Sequence, residues 1–482
     1  MDWETVIGLE IHVQLKTQSK IFSNSPTIFG TESNTQANYI DAGFPGTLPT
    51  LNKKSIELAI RFGIATQAKI NQRSTFARKN YFYPDLPKGY QITQDKEPIV
   101  LGGQIPIQQE KETHMIKIDH AHLEEDAGRS LHENLNGYTG IDLNRAGVAL
   151  LEIVSLPMIK SPAEAVSYAK TIHHLVQWIG ICDGNLQNGS FRMDANVSVR
   201  IPGETALRTK CEIKNLNSFR FLEKAIEYEA KRQADTYERG GKITQETRLY
   251  DSEKNLTRSM RQKESAHDYR YFTDPDLPAL IISDEWVDSI RKDLPEMPWV
   301  IQEKISQKHE LSREEAIFIT QSLNHTRYFE MAMSNKNVSA QQFINWMSGH
   351  LQAYINDHEL SWENHIITAD KLASIIENIN NGTLSQSSAK KLFQYAIDEE
   401  NQDIASLIKK YHLAQITDLQ PLTQAAREII QGNIEIVAQI KSGKDKAINA
   451  LIGKMMKQFS GKINATQARE LLLTAIDDEL ET

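Results

Sequence analysis

Glu10, His12 and Gln14 alternate with the apolar residues Ile7, Leu9, Ile11, Val13 and Leu15. A strict period of two is that of a half-buried strand, so the three polar side chains share one face at about 6.7 Å per step. An acid beside an imidazole can hold a divalent metal or relay a proton. The same pattern also suits a strand whose polar face simply meets water. In His120-Ala121-His122-Leu123-Glu124-Glu125-Asp126, three successive carboxylates follow two histidines. Such a run repels itself unless water or a cation neutralises it, and oxygen-rich clusters suit Mg²⁺; a surface acidic turn is the alternative. Glu152 lies inside the apolar run Leu150–Val154 and needs a partner, either an arginine such as Arg145 or a metal. Asp194, Asn196, Ser198 and Arg200 share one face of Phe191–Arg200, and Lys210, Glu212 and Lys214 share one side of a short strand. Basic and aromatic residues interleave from Arg78 to Tyr90, a run able to stack bases and meet phosphates, or to pack as an ordered loop.

The elements that must position these residues are legible in outline. Strands are expected over Ile7–Leu15, Leu150–Val154, Phe191–Arg200 and Lys210–Lys214. Ser161-Pro162-Ala163-Glu164 has the capping serine, first-turn proline and N3 glutamate of a helix start, and Gly180 ends the run. Asn52 and Asn217 are placed to cap two further helices, the second running to Gly240-Gly241. Thirteen of the 15 prolines precede residue 296, as do all but six of the 24 glycines. The front of the chain therefore reads as turn-rich α+β and the rest as helical, hinged at Leu294–Trp299. Three domains are expected: residues 1–295 carrying a mixed or antiparallel sheet, an all-α domain over 296–406, and a helical tail over 407–482.

Charge divides along the same lines. The 482 residues carry a net charge of −9. Residues 407–482 hold ten Lys/Arg and nine Asp/Glu, a net of +1, which leaves −10 for the residues before them. Lys441, Lys444, Lys446, Lys454, Lys457 and Lys462 lie opposite a helical stripe of Ile448, Leu451, Ile452, Met455, Met456 and Phe459. Composition is that of a globular protein with no apolar stretch of membrane-spanning length. The start Met1-Asp2-Trp3-Glu4 has no signal-peptide pattern, and two cysteines without CxxC spacing fit a reducing cytoplasm. There is no P-loop, Rossmann fingerprint, HExxH or GxSxG. Any ATP used must meet carboxylates and a metal instead.

VIGLEIHV at 6–13, RKNYFYPDLPKGYQ at 78–91, LEEDAG at 123–128, DLNRAG at 142–147, LLEIVS at 150–155 and KNLNSF at 214–219 together resemble the GatB family. These are the B subunits of the tRNA-dependent aspartyl/glutamyl amidotransferases. The likeness continues through Asp268–Phe272, covers essentially the whole chain, and makes the tail similar to a YqeY-like domain. It implies a cradle-like catalytic domain that uses ATP and Mg²⁺ to phosphorylate the side-chain carboxylate of Glu-tRNA(Gln) or Asp-tRNA(Asn). Ammonia from a GatA-like glutaminase subunit would then displace phosphate, and a small GatC-like subunit would brace the pair. The resemblance implies Glu10, His12 and Glu125 as metal and activation residues, with Glu152 and Asp194 beside them. It places Asn144, Arg145, Lys210 and Lys214 toward phosphate or the aminoacyl end, and Lys79 and Lys88 near the ammonia path. The tail lysines would meet tRNA phosphates. Many relatives bind zinc through cysteine clusters after the first strand. The matching positions here, Ser23, Ser25, Asn38 and Asp41, supply no thiolate, so no zinc is expected. A tRNA-binding or assembly protein that kept the fold without the chemistry is the rival reading.

Overall fold

In the computed structural model, residues 2–109, 112–132, 137–262, 268–334, 338–362, 367–416 and 418–481 are described. The chain divides into two compact units, Met1–Val300 and Ile301–Thr482. The first is built on a ten-stranded sheet. Its centre consists of β1 (Glu4–Gln14), β2 (Glu112–Glu125), β3 (Ala149–Ser155), β4 (Phe191–Arg200) and β5 (Cys211–Lys214), in the spatial order β5-β4-β1-β3-β2. All four of these pairings are antiparallel. The N-terminal strand is thus central, held by segments about 140 and 190 residues further along.

Alternation then sorts the side chains. Leu9, Ile11 and Val13 of β1, Leu151 and Ile153 of β3, and Ala195 and Val197 of β4 are fully buried on one face. Burial of each large aliphatic side chain contributes about 1.5–3 kcal/mol. Three helices pack around this sheet: α1 (Lys53–Ala65), α2 (Pro162–Trp178) and α3 (Phe219–Glu238). The caps of α1 and α2 are Asn52 and Ser161, as their spacing predicts. The cap of α3 is Ser218, whose hydroxyl accepts from the Phe221 N–H, rather than Asn217. Asn217 instead donates to Asn215, which adopts a positive φ of 69° at the turn.

The second unit is helical and holds two hydrophobic clusters, one from Ile305 to Leu413 and one from Leu422 to Ile476. The break between them falls after Leu413, later than a boundary at 406, because Leu407 and Ile408 still pack into the first cluster. In the helix Ile448–Gln458, Ile448, Leu451 and Met455 are buried. Lys441, Lys444, Lys446, Lys454 and Lys457 are exposed and Lys462 is half-buried. Among the described residues, no helix is long and apolar enough to cross a membrane.

Candidate functional site

The polar face of the central strands carries the chemistry. Register places His12 opposite Glu152 on one side and Arg192 on the other. Glu10 faces Asp194, Glu152 faces His122, and Asn196 faces Glu212. One continuous strip of acids and imidazoles therefore crosses β5, β4, β1, β3 and β2.

The strip resolves into two groups. In the first, the Nε2 atoms of two imidazoles converge on two carboxylates. His12 lies 3.2 Å from Glu152 Oε2 and 3.7 Å from Glu124 Oε1, while His122 lies 3.4 Å from Glu152 Oε2 and 3.8 Å from Glu124 Oε2. Burial alone would drive both imidazoles toward neutrality. The carboxylates Glu152 and Glu124 outweigh it, raising His12 and pushing His122 up to about 10. Burial likewise opposes ionisation of Glu152, and the two histidines reverse that, holding it well below the ordinary carboxylate range. In the second group, Glu10, Asp194 and Glu212 bring one oxygen each within 4.8 Å of one another, as do the ligand atoms of His12, Glu124 and Glu152. Lys214 lies 2.7 Å from Asp194 and 3.4 Å from Glu212, Asn196 donates to Glu10 at 2.7 Å, and Thr247 donates to Glu212 at 2.8 Å. Hard oxygens with at most one imidazole form a donor set that fits Mg²⁺, which keeps several waters. Buried His122 Nδ1, without a hydrogen-bond partner, adds an unmet polar demand beside the first group.

The expected residues are not all gathered here. Glu10 and His12 do share a face, yet they enter different groups. Glu125, expected beside them, follows Glu124 by one residue on an extended strand and projects to the other side. There it pairs with Lys88 and accepts the Ile92 N–H at 2.8 Å. Glu124 occupies the place expected of Glu125. Glu152 finds two histidines rather than Arg145. Asn144 and Arg145, expected to face phosphate or the aminoacyl end, brace neighbouring loops. Asn144 donates to Glu32 O at 2.7 Å and accepts from the Gln36 N–H at 2.8 Å. Arg145 donates to the carbonyls of Ala127 and Gly128 at 2.9 and 2.6 Å. Asp194 and Lys214 form an ion pair within the strip, and Lys210 is exposed just before β5.

A small three-stranded sheet containing Ala77–Asn80 and Tyr90–Thr93 adjoins the end of β2. Its Lys79 ammonium lies 4.7 Å from the Tyr269 ring centroid and 5.6 Å from that of Tyr81. Burial opposes the charge, but Tyr271, Glu124 and Glu152 favour it and raise its pKa above the usual lysine value. Lys79 thus belongs electrostatically to the first group, whereas Lys88 belongs to Glu125.

The positions matching the cysteine clusters also converge. The Asp41 carboxylate accepts from Ser23 Oγ at 2.8 Å, Ser25 Oγ at 2.6 Å and the Asn38 N–H at 2.9 Å. Lys20 Nζ lies 3.3 Å from it and donates to Leu143 O at 3.1 Å. Neither charged side chain reaches solvent to a useful extent, at 0 and 2 % exposure.

The run His122–Asp126 is expected as an acidic cluster, but the resemblance gives a role to Glu125 alone, and none to His122, Glu124, Asp126, Arg192 or Lys20. For His122 and Glu124 a signal existed: they are two residues apart, so on a strand they share a face. Lys20 carried none, since an isolated lysine ordinarily reads as surface.

Known proteins share this arrangement of sequence. Residues 5–288 match the family described as the GatB/GatE catalytic domain, and residues 327–476 match the GatB domain. A protein of Neisseria meningitidis serogroup B is 49% identical, covering 98% of this chain and 99% of its own length. One of Nitrosospira multiformis is 48% identical over the same shares. One of Janthinobacterium is 49% identical, again over 98% of this chain and 99% of its own. All three are named as the B subunit of an aspartyl/glutamyl-tRNA(Asn/Gln) amidotransferase. With both halves matched and the identity spread over nearly the full length, the chain belongs to the GatB family.

Proposed function

We propose that this chain is the carboxylate-activating subunit of a tRNA-dependent amidotransferase acting on Glu-tRNA(Gln), Asp-tRNA(Asn) or both. The observation that carries the reading is the convergence of His12, His122, Glu124 and Glu152 beside Glu10, Asp194 and Glu212 on one sheet face. An amide cannot form directly from a carboxylate, which is a poor acyl donor. A substrate carboxylate oxygen therefore bonds to the γ-phosphorus of ATP, and ADP leaves with the bridging oxygen. The ammonia nitrogen then attacks the acyl carbon, the C–O bond to phosphate breaks, and the nitrogen loses a proton.

His12, Glu124 and Glu152 would hold one Mg²⁺, and Glu10, Asp194 and Glu212 would hold a second. A bound Mg²⁺ supplies charge neutralisation where two anions meet. Around it, His122 keeps Glu152 ionised, Lys214 balances Asp194 and Glu212, and Lys79 brings a fixed cation toward Glu124 and Glu152. Glu125 stands with Lys88 on the proposed ammonia path from a GatA-like partner, with a GatC-like subunit completing the complex. Zinc is not expected at Asp41, because Asp41 pairs with the Lys20 ammonium while Ser23, Ser25 and Asn38 hydrogen-bond to Asp41, and none of the four offers a thiolate. The working compartment is the cytoplasm, where charged tRNA is found. A non-enzymatic tRNA-binding role is disfavoured, since a chain that only binds has no use for buried, mutually ionised acids and imidazoles.

In the reconstituted complex, ADP formation should require mischarged tRNA and Mg²⁺ together. ADP formed at the same rate without tRNA, or amide formed without ATP, contradicts the reading. The exposed lysines of 441–457, with Lys462, would meet tRNA phosphates. Deleting residues 419–482 should weaken tRNA binding and flatten its dependence on salt, because fewer counterions are released. Equal affinities across a salt titration would exclude that role.

A further inference from the structure

Arg192 occupies an unusual position on the polar strip. It is the cross-strand neighbour of His12 in the first group and stands two residues from Asp194 in the second. Its charge is felt by both, since Glu124 and Asp194 each help hold it ionised and it in turn opposes protonation of His12. One nitrogen is tethered: Nη2 donates to Asp126 Oδ2 at 2.9 Å. That anchor is rigid in its own right. Asp126 also accepts from Gln14 Nε2 at 2.9 Å and the Ala127 N–H at 3.0 Å, with Arg145 Nε 3.6 Å away.

The rest of the guanidinium is differently placed. Nε is buried without a hydrogen-bond partner, although the side chain as a whole is 35 % exposed. A buried N–H left unpaired beside an open polar strip is costly unless a ligand completes it. The ligand must supply acceptors, because a guanidinium only donates, and its charge favours an anion; Nε with the second hydrogen of Nη2 fits two oxygens of one phosphate. Repulsion points the same way. A phosphoryl group approaching the strip meets Glu124 and Asp194, whose charges reach Arg192, and a preorganised cation beside them lowers that barrier without reorganisation.

We infer that Arg192 is a catalytic residue that grips the phosphoryl group as it passes from ATP to the substrate carboxylate, with Asp126 as its positioning residue. This rests on the carboxylate-activating reading above. No proton leaves Arg192. It stabilises the oxygens of the group while the bond to ADP breaks and the bond to the carboxylate oxygen forms.

The test uses the whole complex with mischarged tRNA and follows ADP formation. Arg192→Gln should lower kcat about 100- to 1,000-fold, the usual loss for one preorganised donor to a developing anion. Arg192→Lys keeps a charge able to pair with Asp126 but loses the fork. It should fold with the parental thermal midpoint and still lose about tenfold or more in kcat. Asp126→Asn should act in the same direction as Arg192→Gln but more weakly, because the guanidinium remains. A purely structural brace predicts the reverse: a lowered midpoint with kcat retained in Arg192→Lys. Full-rate Arg192→Gln or full-rate Arg192→Lys overturns the inference, and if Arg192→Gln fails to assemble, Arg192→Lys alone decides. Glu152→Gln, measured in parallel, separates the two claims. If Glu152→Gln is inactive and the Arg192 variants are not, only the role of Arg192 falls. If all turn over normally, the site itself has been misplaced.

Discussion

A complex carrying Glu152→Gln is expected to form ADP about 100-fold more slowly or worse, and to need far more Mg²⁺ to do so. Glu152 is the hinge of the first group: its Oε2 meets both His12 and His122. Glutamine keeps the size but removes the charge, and two effects follow. A ligand oxygen is neutralised, and His122 loses the largest influence raising its pKa, so it falls back from about 10 toward the ordinary value. A linked pH effect follows in the parent chain. Glu152 and Glu124 outweigh burial and raise the His12 pKa, so its Nε2 holds its proton more tightly and must release it before it can ligate. Apparent Mg²⁺ affinity should therefore tighten as pH rises through the raised His12 pKa, and do so at lower pH in Glu152→Gln, where the chief carboxylate raising it is gone. A Mg²⁺ titration of ADP formation at several pH values measures both. A pH-independent half-saturation point in the parent would show that His12 is not a ligand.

The second large effect concerns stability. Asp41→Ala is expected to destabilise the first unit by about 3–5 kcal/mol, the cost of stranding one member of a buried ion pair. Lys20 would be left with a buried ammonium whose remaining partner is the Leu143 carbonyl, while the hydroxyls of Ser23 and Ser25 lose their acceptor. Burial already lowers the Lys20 pKa, with Asp41 chiefly opposing that. The combined Lys20→Met and Asp41→Leu chain removes both charges and should recover much of the loss. Urea unfolding of single and double variants tests this. A double variant as unstable as Asp41→Ala would mean that the serine hydrogen bonds, rather than the pair, hold the loop together. Gly147 confines the same spot: its φ is +82°, and a Cβ there would lie 2.9 Å from Asp41 Oδ1.

What the chain of residues made legible, and what it did not, follows from the range of each interaction. Glu10 and His12 were readable because strand alternation is local and needs no partner. Glu124 was passed over for Glu125 because three adjacent acids suggest one cluster. An extended backbone sends neighbours to opposite faces, and the alternation His122, Leu123, Glu124 already implied it. The pairing of His12 with Glu152, Arg192 and, through the next strand, His122 was not readable. Register between strands 110 to 180 residues apart is set by the whole sheet. Arg192 was missed for a smaller reason: its strand alternation is clearest from Asp194 onward, and Met193 between them looks like any core residue. The absence of thiolates at Ser23, Ser25, Asn38 and Asp41 was plain, but the ammonium that pairs with Asp41 came from outside the motif.

The central place of β1 has a consequence for synthesis. Its neighbours are residues 149–155 and 191–200, and at about 5–20 residues per second the second neighbour leaves the ribosome some 10–40 s after β1 does. Throughout that interval Leu9, Ile11 and Val13 have no sheet to enter, and both edges of the strand are open to pairing with other nascent chains. The strand carrying Glu10 and His12 is made well before either neighbour that encloses it. Slowing translation between residues 15 and 190 therefore lengthens the exposure of this segment without altering the finished fold.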